Sequence, residues 1–414
     1  MWRSGIDAFC VGRLEMDASR PMFSRLPEVA RSFLKLGCIS FGGPVAHLGY
    51  LREEFVAKRR WLDDEEYSDL VALCQFLPGP ASSQVVFALG MNRAGVLGAM
   101  LASVCFTLPS AVLLTLFAYG VTALGDLRAA GWLHGLKVAA VAVVAQAVWG
   151  MGRKLCPDWQ RITLALAAAV VVLTVPSVFG QIGVIAIGGA IGWTMYRHTV
   201  PMKENGTSQL ARRHLWAAGT LVTFVVLLVV LPIAAHTTNS RGLHIFDGFY
   251  RASSLVFGGG HVILPMLRAE VVPPGWITDD AFLAGYGAAQ AVPGPLFTFA
   301  AYLGTVIYGG PQAWLGGLMC LVAIFLPAWL LIGGTLPFWH LLRSKAGTQA
   351  TLRGANAAVV GVLLAALYNP VWREGIKGWP DVAAAIAAFA LLEKLRTPPW
   401  LVVVLMAAAG QWIL

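Results

Sequence analysis

Phe41-Gly42-Gly43-Pro44-Val45-Ala46-His47-Leu48-Gly49, followed by Gln75-Phe76-Leu77-Pro78-Gly79-Pro80, places two clusters of helix breakers inside apolar sequence. Proline removes a backbone donor and glycine relaxes the chain, so a helix cannot run through either cluster. The same two clusters return later as Phe257-Gly258-Gly259 and Pro293-Gly294-Pro295. A shift of 216 positions superposes the FGG triplets, and 215 superposes Trp61 on Trp276, Asp64 on Asp279, Gln75 on Gln290 and the two PGP triplets. Farther along, 218 pairs Pro109 with Pro327 and 219 pairs Gly135 with Gly354, a drift that loop insertions within a duplicated unit account for.

Composition sets the solvent around these repeats. Of 414 residues, 57% are hydrophobic and 12% charged, against roughly 25% charged in an average soluble domain. Apolar stretches of about 20 residues, enough to cross a bilayer, recur along the chain and leave no room for a sizeable soluble domain. The fold class expected is an all-α polytopic membrane protein. The first twenty-five residues carry Arg3, Arg13, Arg20 and Arg25 among acidic residues without an apolar core, which excludes a cleavable signal peptide. The net charge of +9 resides in short loops beside apolar segments, where basic residues act as orientation signals rather than as a nucleic-acid surface. The six cysteines and eight histidines are dispersed without metal spacing, so neither a cofactor nor a metal is expected.

Each half reads in one order: a segment broken at FGG, a polar loop, a segment broken at PGP, then unbroken helices. The unbroken segments are Ala94 to Val121, Trp132 to Gly150, Ile162 to Val178 and Ile182 to Tyr196 in the first half. Ala313 to Phe338, Gly354 to Tyr368, Val382 to Leu392 and Trp400 to Ile413 follow in the second, with His214 to Ala235 between. The basic stretches at Arg153-Lys154, Arg197 to Arg213, Arg343-Ser344-Lys345 and Lys394-Leu395-Arg396 fall on the cytoplasmic side if the FGG and PGP segments are re-entrant hairpins and the nine unbroken segments span. The alternative, with all thirteen apolar segments spanning, puts the basic Arg52 to Arg60 loop outside. Either way an odd number of spans separates the copies, which makes them inverted-topology repeats. The expected divisions are a cytoplasmic tail over 1–25, a first repeat over 26–197, a basic linker and connecting helix over 198–240, and an inverted second repeat over 241–414.

Inverted repeats with discontinuous helices hold substrate near the bilayer midplane at the interface between the repeats. A helix restarting after a break offers free N–H groups and a positive dipole end, which suits an anion. The candidate substrate-binding set is therefore the breaks themselves, Gly42, Gly43, Pro44, Pro78, Gly79, Pro80, Gly258, Gly259, Pro293, Gly294 and Pro295, with polar neighbours Ser82, Ser83 and Thr298. Gln75 and Gln290 precede the two PGP breaks by three residues, and Lys35 and Arg251 precede the two FGG breaks by six. A cation buried in lipid is costly, so the matched pair suits neutralisation of a dianion; snorkelling to the interface is the plainer role. His47 and His261 follow the two FGG breaks at non-equivalent positions and can donate to an oxyanion, carry a proton, or simply pack. Lys137 aligns with Asn356, an asymmetry between the halves. No nucleophile–base or acid–acid pair in matched positions supports an intramembrane enzyme; an anion channel is a further reading.

The FGGPVAHLG and QFLPGP strings, with FGGGHVILPML and QAVPGP as the second copy, resemble the chromate ion transporter family in its long, two-domain form. The resemblance covers nearly the whole chain after the N-terminal tail. It implies export of chromate from the cytoplasm across a bacterial-type inner membrane and chromate resistance. The second copy departs from the first at Gly260, where Pro44 stands, and lacks the AHxG pattern. Sulfate shares chromate's shape and charge and is the alternative substrate; protons as coupling ion, the lipid bilayer and a second copy of the chain complete the candidate partners.

Overall fold

The computed structural model describes residues 22–41, 43–124, 131–175, 178–197, 214–256, 260–338 and 346–412. Among them there is no strand, and the chain is an all-α polytopic membrane protein. Helices α1 (Met22–Ile39) and α2 (Gly43–Arg52) flank the first FGG, α3 (Asp64–Phe76) leads into the first PGP and α4 (Ala81–Leu124) leaves it. Then come α5 (Gly131–Leu155), α6 (Trp159–Thr174), α7 (Val178–Tyr196) and the connecting α8 (His214–Thr238). The second half repeats the order with α9 (Arg241–Ser254), α10 (Ile263–Val271), α11 (Asp279–Ala291), α12 (Phe299–Tyr308), α13 (Ala313–Thr335), α14 (Ala346–Ala366), α15 (Trp379–Glu393) and α16 (Pro399–Trp412).

The FGG segments fold as antiparallel helical hairpins. In the first, contacts pair outward from the tip: His47 Nε2 with Ser40 O at 3.1 Å, Lys35 with Glu54 at 3.3 Å, and Arg59 with Glu28 at 3.1 Å. Arg251 meets Glu270 at 3.3 Å in the second, at positions 216 beyond Lys35 and Glu54. The open ends of the hairpins are tied by another matched pair, Arg52–Asp64 at 2.7 Å and Arg268–Asp279 at 2.6 Å. The PGP segments fold back likewise: Tyr302 on α12 donates to Ala281 O on α11 at 2.8 Å, and Phe299 packs on Phe282 with ring centroids 5.1 Å apart.

A third reversal follows. α4 is interrupted at Ala94 (φ −143°, ψ 29°) and Gly95 (φ 65°, ψ −160°). A Cβ placed on Gly90 lies 2.5 Å from the Gly98 carbonyl, whereas eight residues of continuous helix span about 12 Å. The chain therefore turns back at 94–95, as it does at Gly309-Gly310 in the second half, where both glycines have positive φ and Gly304 packs on the Gly316 carbonyl. The span expected from Ala94 begins at that turn. Among the described residues, five helical stretches are long and apolar enough to cross a bilayer: Ala81–Ala123, taken through its reversal at 94–95, Gly131–Leu155, Trp216–Thr238, Ala313–Thr335 and Gln349–Gly375. The expected spans from Ile162 and Trp400 fold as shorter helices of 16 and 14 residues, which rise only about 21–24 Å. α8 exposes Val222, Val225, Val226, Val229, Val230 and Ile233, an apolar face that lipid would cover. The matched Trp159 and Trp379, at the starts of α6 and α15, are 75% and 85% exposed, as expected of interfacial anchors.

The halves exchange partners. Gly135 on α5 abuts the Met406 carbonyl of α16 and Gly131 abuts that of Gly410, while in the mirrored arrangement Gly354 on α14 abuts the Gly188 carbonyl of α7. Small residues let the helix backbones touch there. The hairpin tips also cross over: Gly79 N–H donates to Val256 O at 2.7 Å, and Gly294 N–H donates to Ser40 O at 2.8 Å. Each PGP thus docks on the strand-like end of the other half's FGG segment, at equivalent positions, which is the reciprocity of a two-fold relation.

Gly79 and Gly294 both have φ +109°, a region an L side chain occupies at a cost of roughly 1–2 kcal/mol. At Gly294 a Cβ also comes 2.7 Å from Ser110 Oγ, whereas at Gly79 the nearest atom is the terminal nitrogen of Gln84 at 3.2 Å. Gly294→Ala is therefore expected to lower the melting temperature more than Gly79→Ala, and Ser110→Gly to recover part of the Gly294→Ala loss; equal losses without rescue would contradict this packing.

Candidate functional site

The two crossings lie against the start of α4. At one, Ser40 O accepts from both Gly294 N–H and His47 Nε2. A carbonyl only accepts, so Nε2 carries the hydrogen, and Nδ1 faces Ser82 Oγ at 3.5 Å. His47 is buried with its ring edge toward Phe106 at 5.7 Å, and Phe41 packs against Trp400 of α16 at 5.9 Å. At the other crossing, Gln84 Nε2 donates to Pro78 O at 2.7 Å, and Gly79 faces Ala328 of α13 and the Ser253 carbonyl of α9. Ser82 belongs to the first crossing and Gln84 to the second. One helical turn, Ala81 to Gln84, therefore bridges both.

Around this turn the polar atoms are buried and unpaired. Ser40 Oγ, Ser83 Oγ, Ser253 Oγ, Gln84 Oε1 and Gln290 Nε2 are buried and have no hydrogen-bond partner. Ser40, Ser83, Gln84 and Ser253 are each at most 4% exposed. An unpaired buried polar group costs about 1–3 kcal/mol, and several of them beside irregular backbone are what a polar ligand or water would satisfy. Ser40 follows α1, Ser83 and Gln84 open α4, Ser253 lies at the end of α9 and Gln290 at the end of α11, so all five stand on the segments that make the two crossings, and none carries a formal charge.

The remaining expected residues divide. Gln75 is exposed while its counterpart Gln290 is half-buried. Thr298 spends its hydroxyl hydrogen on Pro295 O at 2.6 Å, and Leu296–Thr298 form a 3₁₀ turn before α12, so the second PGP lacks the direct α-helical start seen at Ala81. His261 meets Tyr286 Oη at 2.8 Å. Lys35 is paired with Glu54, and Arg251 with both Asp247 at 2.8 Å and Glu270. The matched cations come with matched carboxylates, about one and a half helical turns back from the tip. Gly79 and Pro80 are buried and Pro78 half-buried at the first turn, whereas Pro293 and Pro295 are buried and Gly294 half-buried at the second. Gly43 has φ +76°. Gly42, Gly258, Gly259 and the side chain of Pro44 lie outside the described residues, as does most of the tail over 1–25. Among the described residues no group of three or more metal-ligating side chains occurs.

Sequence reasoning missed Ser40, Ser253 and the two carboxylates. Glu54 and Glu270 stand at the same 216-residue shift as Lys35 and Arg251, so the pairing was detectable. Ser40 and Ser253 occupy non-equivalent positions, and no spacing signals them.

Comparison with known proteins places this architecture. A probable chromate transport protein of Synechococcus elongatus is 27% identical over 402 residues, covering 94% of this chain and 96% of that one. The chromate transport protein of Pseudomonas aeruginosa is 29% identical over 412 residues, covering 94% and 92%, and that of Cupriavidus metallidurans 24% over 376 residues, covering 90% and 88%. No solved structure matches. The family model described as chromate transporter matches residues 27–193 and 243–411, once on each half, and the chain belongs to the chromate transporter family.

Proposed function

We propose that this protein exports chromate, as a tetrahedral oxyanion, from the cytoplasm across a bacterial inner membrane, and so confers chromate resistance. The observation that carries the reading is the cluster of buried, unpaired hydroxyl and amide groups where the hairpin tips of the two halves cross. An oxyanion accepts hydrogen bonds on all its oxygens, so hydroxyls, the Gln290 amide and the N–H groups opening α4 complement it without a cation. Lys35 is held by Glu54, and Arg251 by Asp247 and Glu270, so neither cation is spent on the substrate in this arrangement. The relatives carrying a chromate transport name support the substrate. The bilayer favours the direction: a dianion leaving an inside-negative cell gains about 4.6 kcal/mol per 100 mV.

In this reading the first repeat covers 26–197 and the second, inverted repeat 241–414, with 198–240 as linker and connecting helix and 1–25 as a cytoplasmic tail. The hairpins of the first half enter from the cytoplasm and those of the second from outside. Substrate passes by alternating access between the halves rather than by chemical conversion. Sulfate remains a second reading, favoured by the same neutral donors, which read shape and charge that the two anions share.

Three measurements test this. Lys58 and Pro274 are equivalent, exposed positions at the open ends of the two FGG hairpins; in a background lacking native cysteines, Lys58→Cys should react with an impermeant thiol reagent only from the cytoplasmic side and Pro274→Cys only from outside. Labelling of both from one side would exclude inversion. Counterflow of labelled chromate and sulfate in proteoliposomes at a fixed potential should show saturable chromate exchange; sulfate exchange that chromate cannot displace would transfer the assignment to sulfate. Ser83→Ala and Ser253→Ala should each weaken apparent affinity by about tenfold or more, the worth of a hydrogen bond to a charged group, and unchanged affinity in both would place the substrate elsewhere.

A further inference from the structure

Gln84 brings an acceptor into a site otherwise built of donors. Its side chain is fully buried in the first turn of α4, and Nε2 lies 2.7 Å from Pro78 O. A carbonyl only accepts, so the amide nitrogen must face Pro78 and the orientation of the group is fixed. Oε1 is thereby turned from Pro78 at the first PGP tip, where a Cβ on Gly79 would sit 3.2 Å from Nε2. No donor of the protein reaches Oε1. Of the five unpaired groups around the crossings, the hydroxyls of Ser40, Ser83 and Ser253 and the Gln290 nitrogen can all donate, whereas Gln84 Oε1 cannot. A fully ionised tetrahedral oxyanion carries acceptors only and sets one of them against this oxygen. An oxyanion with a single O–H matches the whole set.

Charge around the crossings points the same way. Arg251, two residues before Ser253, meets Asp247 at 2.8 Å and Glu270 at 3.3 Å, so that side adds no net positive charge. The side chain of Lys35 is 56% exposed and paired with Glu54. Desolvation cost rises with the square of the charge, so uncharged donors at membrane depth accept a monoanion far more readily than a dianion. The other titratable groups on the elements packed around this turn are His47, His261, the thiols of Cys38, Cys74 and Cys320, and the tyrosines of α11 and α12; the carboxylates of α3 and α11 stand at the ends far from the PGP tips.

We propose that the species carried is hydrogen chromate, singly charged, with its O–H donating to Gln84 Oε1 and its bare oxygens accepting from Ser83, Ser253 and the N–H groups opening α4. This deepens the chromate reading above and rests on it. Chromate takes up a proton near neutral pH, whereas sulfate does so only in strong acid. Gln84 therefore separates two anions of one shape, since a buried acceptor rejects the ion that lacks the hydrogen. The serines cannot draw that distinction, because a hydroxyl turns to donate or to accept. Hydrogen chromate leaves with half the electrical gain of the dianion, in the same direction.

Equilibrium binding to the purified full-length protein, with chromate dilute enough that dichromate does not form, tests the assignment. Perrhenate, a tetrahedral monoanion without a hydrogen, and sulfate, a dianion, serve as references, because neither changes charge between about pH 6 and about pH 8. Any titration of the protein's own groups acts on the references as well. Relative to both, the apparent affinity for total chromate should fall about tenfold or more from about pH 6 to about pH 8, because only the protonated fraction binds. Gln84→Met should cut the preference for chromate over perrhenate at the lower pH by about tenfold, the worth of a hydrogen bond to a charged group. A purely structural role for Gln84 would weaken both anions alike and leave that ratio unmoved. A chromate affinity that runs flat with pH beside the references, or an unchanged preference in Gln84→Met, would overturn hydrogen chromate and leave chromate itself as cargo. The pH comparison uses the unsubstituted protein and stands even if Gln84→Met fails to fold. Sulfate bound more tightly than chromate at the lower pH would overturn the chromate reading and the role of Gln84 together.

Discussion

Backbone groups inside a bilayer must find partners within the protein, and the breaks at FGG and PGP release such groups at the least convenient depth. The structure answers with reciprocity. Gly79 N–H, freed by the first PGP, is taken by Val256 O of the second half, and Gly294 N–H, freed by the second PGP, by Ser40 O of the first. Neither half can satisfy its own tip in this arrangement. The two hydrogen bonds therefore explain why the breaks occur in both copies and why the polar residues of both converge on one turn of α4.

The same dependence extends outward through the helices. α5 rests on α16 and α14 on α7 through glycines whose added Cβ atoms would strike opposing carbonyls. A rigid-body motion of one half carries the other half's hairpin tip with it. In the alternating-access reading, motions that expose a central site to each side in turn must instead shear these glycine contacts, and shear over small residues disturbs the fewest side chains.

Much of this was legible in sequence because duplication leaves a measurable register. The shift of 215 to 219 residues located the hairpins, the restart at 94–95 and the order of helices, and composition alone settled the solvent. What sequence could not show was which copy supplies each neighbour. Ser40 O could have met Gly79 of its own half as readily as Gly294, since the two PGP triplets are identical. Lys35 and Arg251 stood out as cations in apolar context, yet their worth depends on Glu54 and Glu270 lying across the hairpin. Ser253 and Ser40, two of the buried unpaired hydroxyls, resemble any other serine until packing removes water from around them.

The central claim is that a tetrahedral oxyanion sits where the two pairs of tips cross. An experimental structure of the protein loaded with chromate, using the anomalous signal of the metal to mark the anion, tests it most directly. The account predicts one peak within hydrogen-bonding reach of Ser83 and Ser253, between the Gly79–Val256 and Gly294–Ser40 contacts. A peak beside Lys35 or Arg251 with the crossing vacant would contradict it.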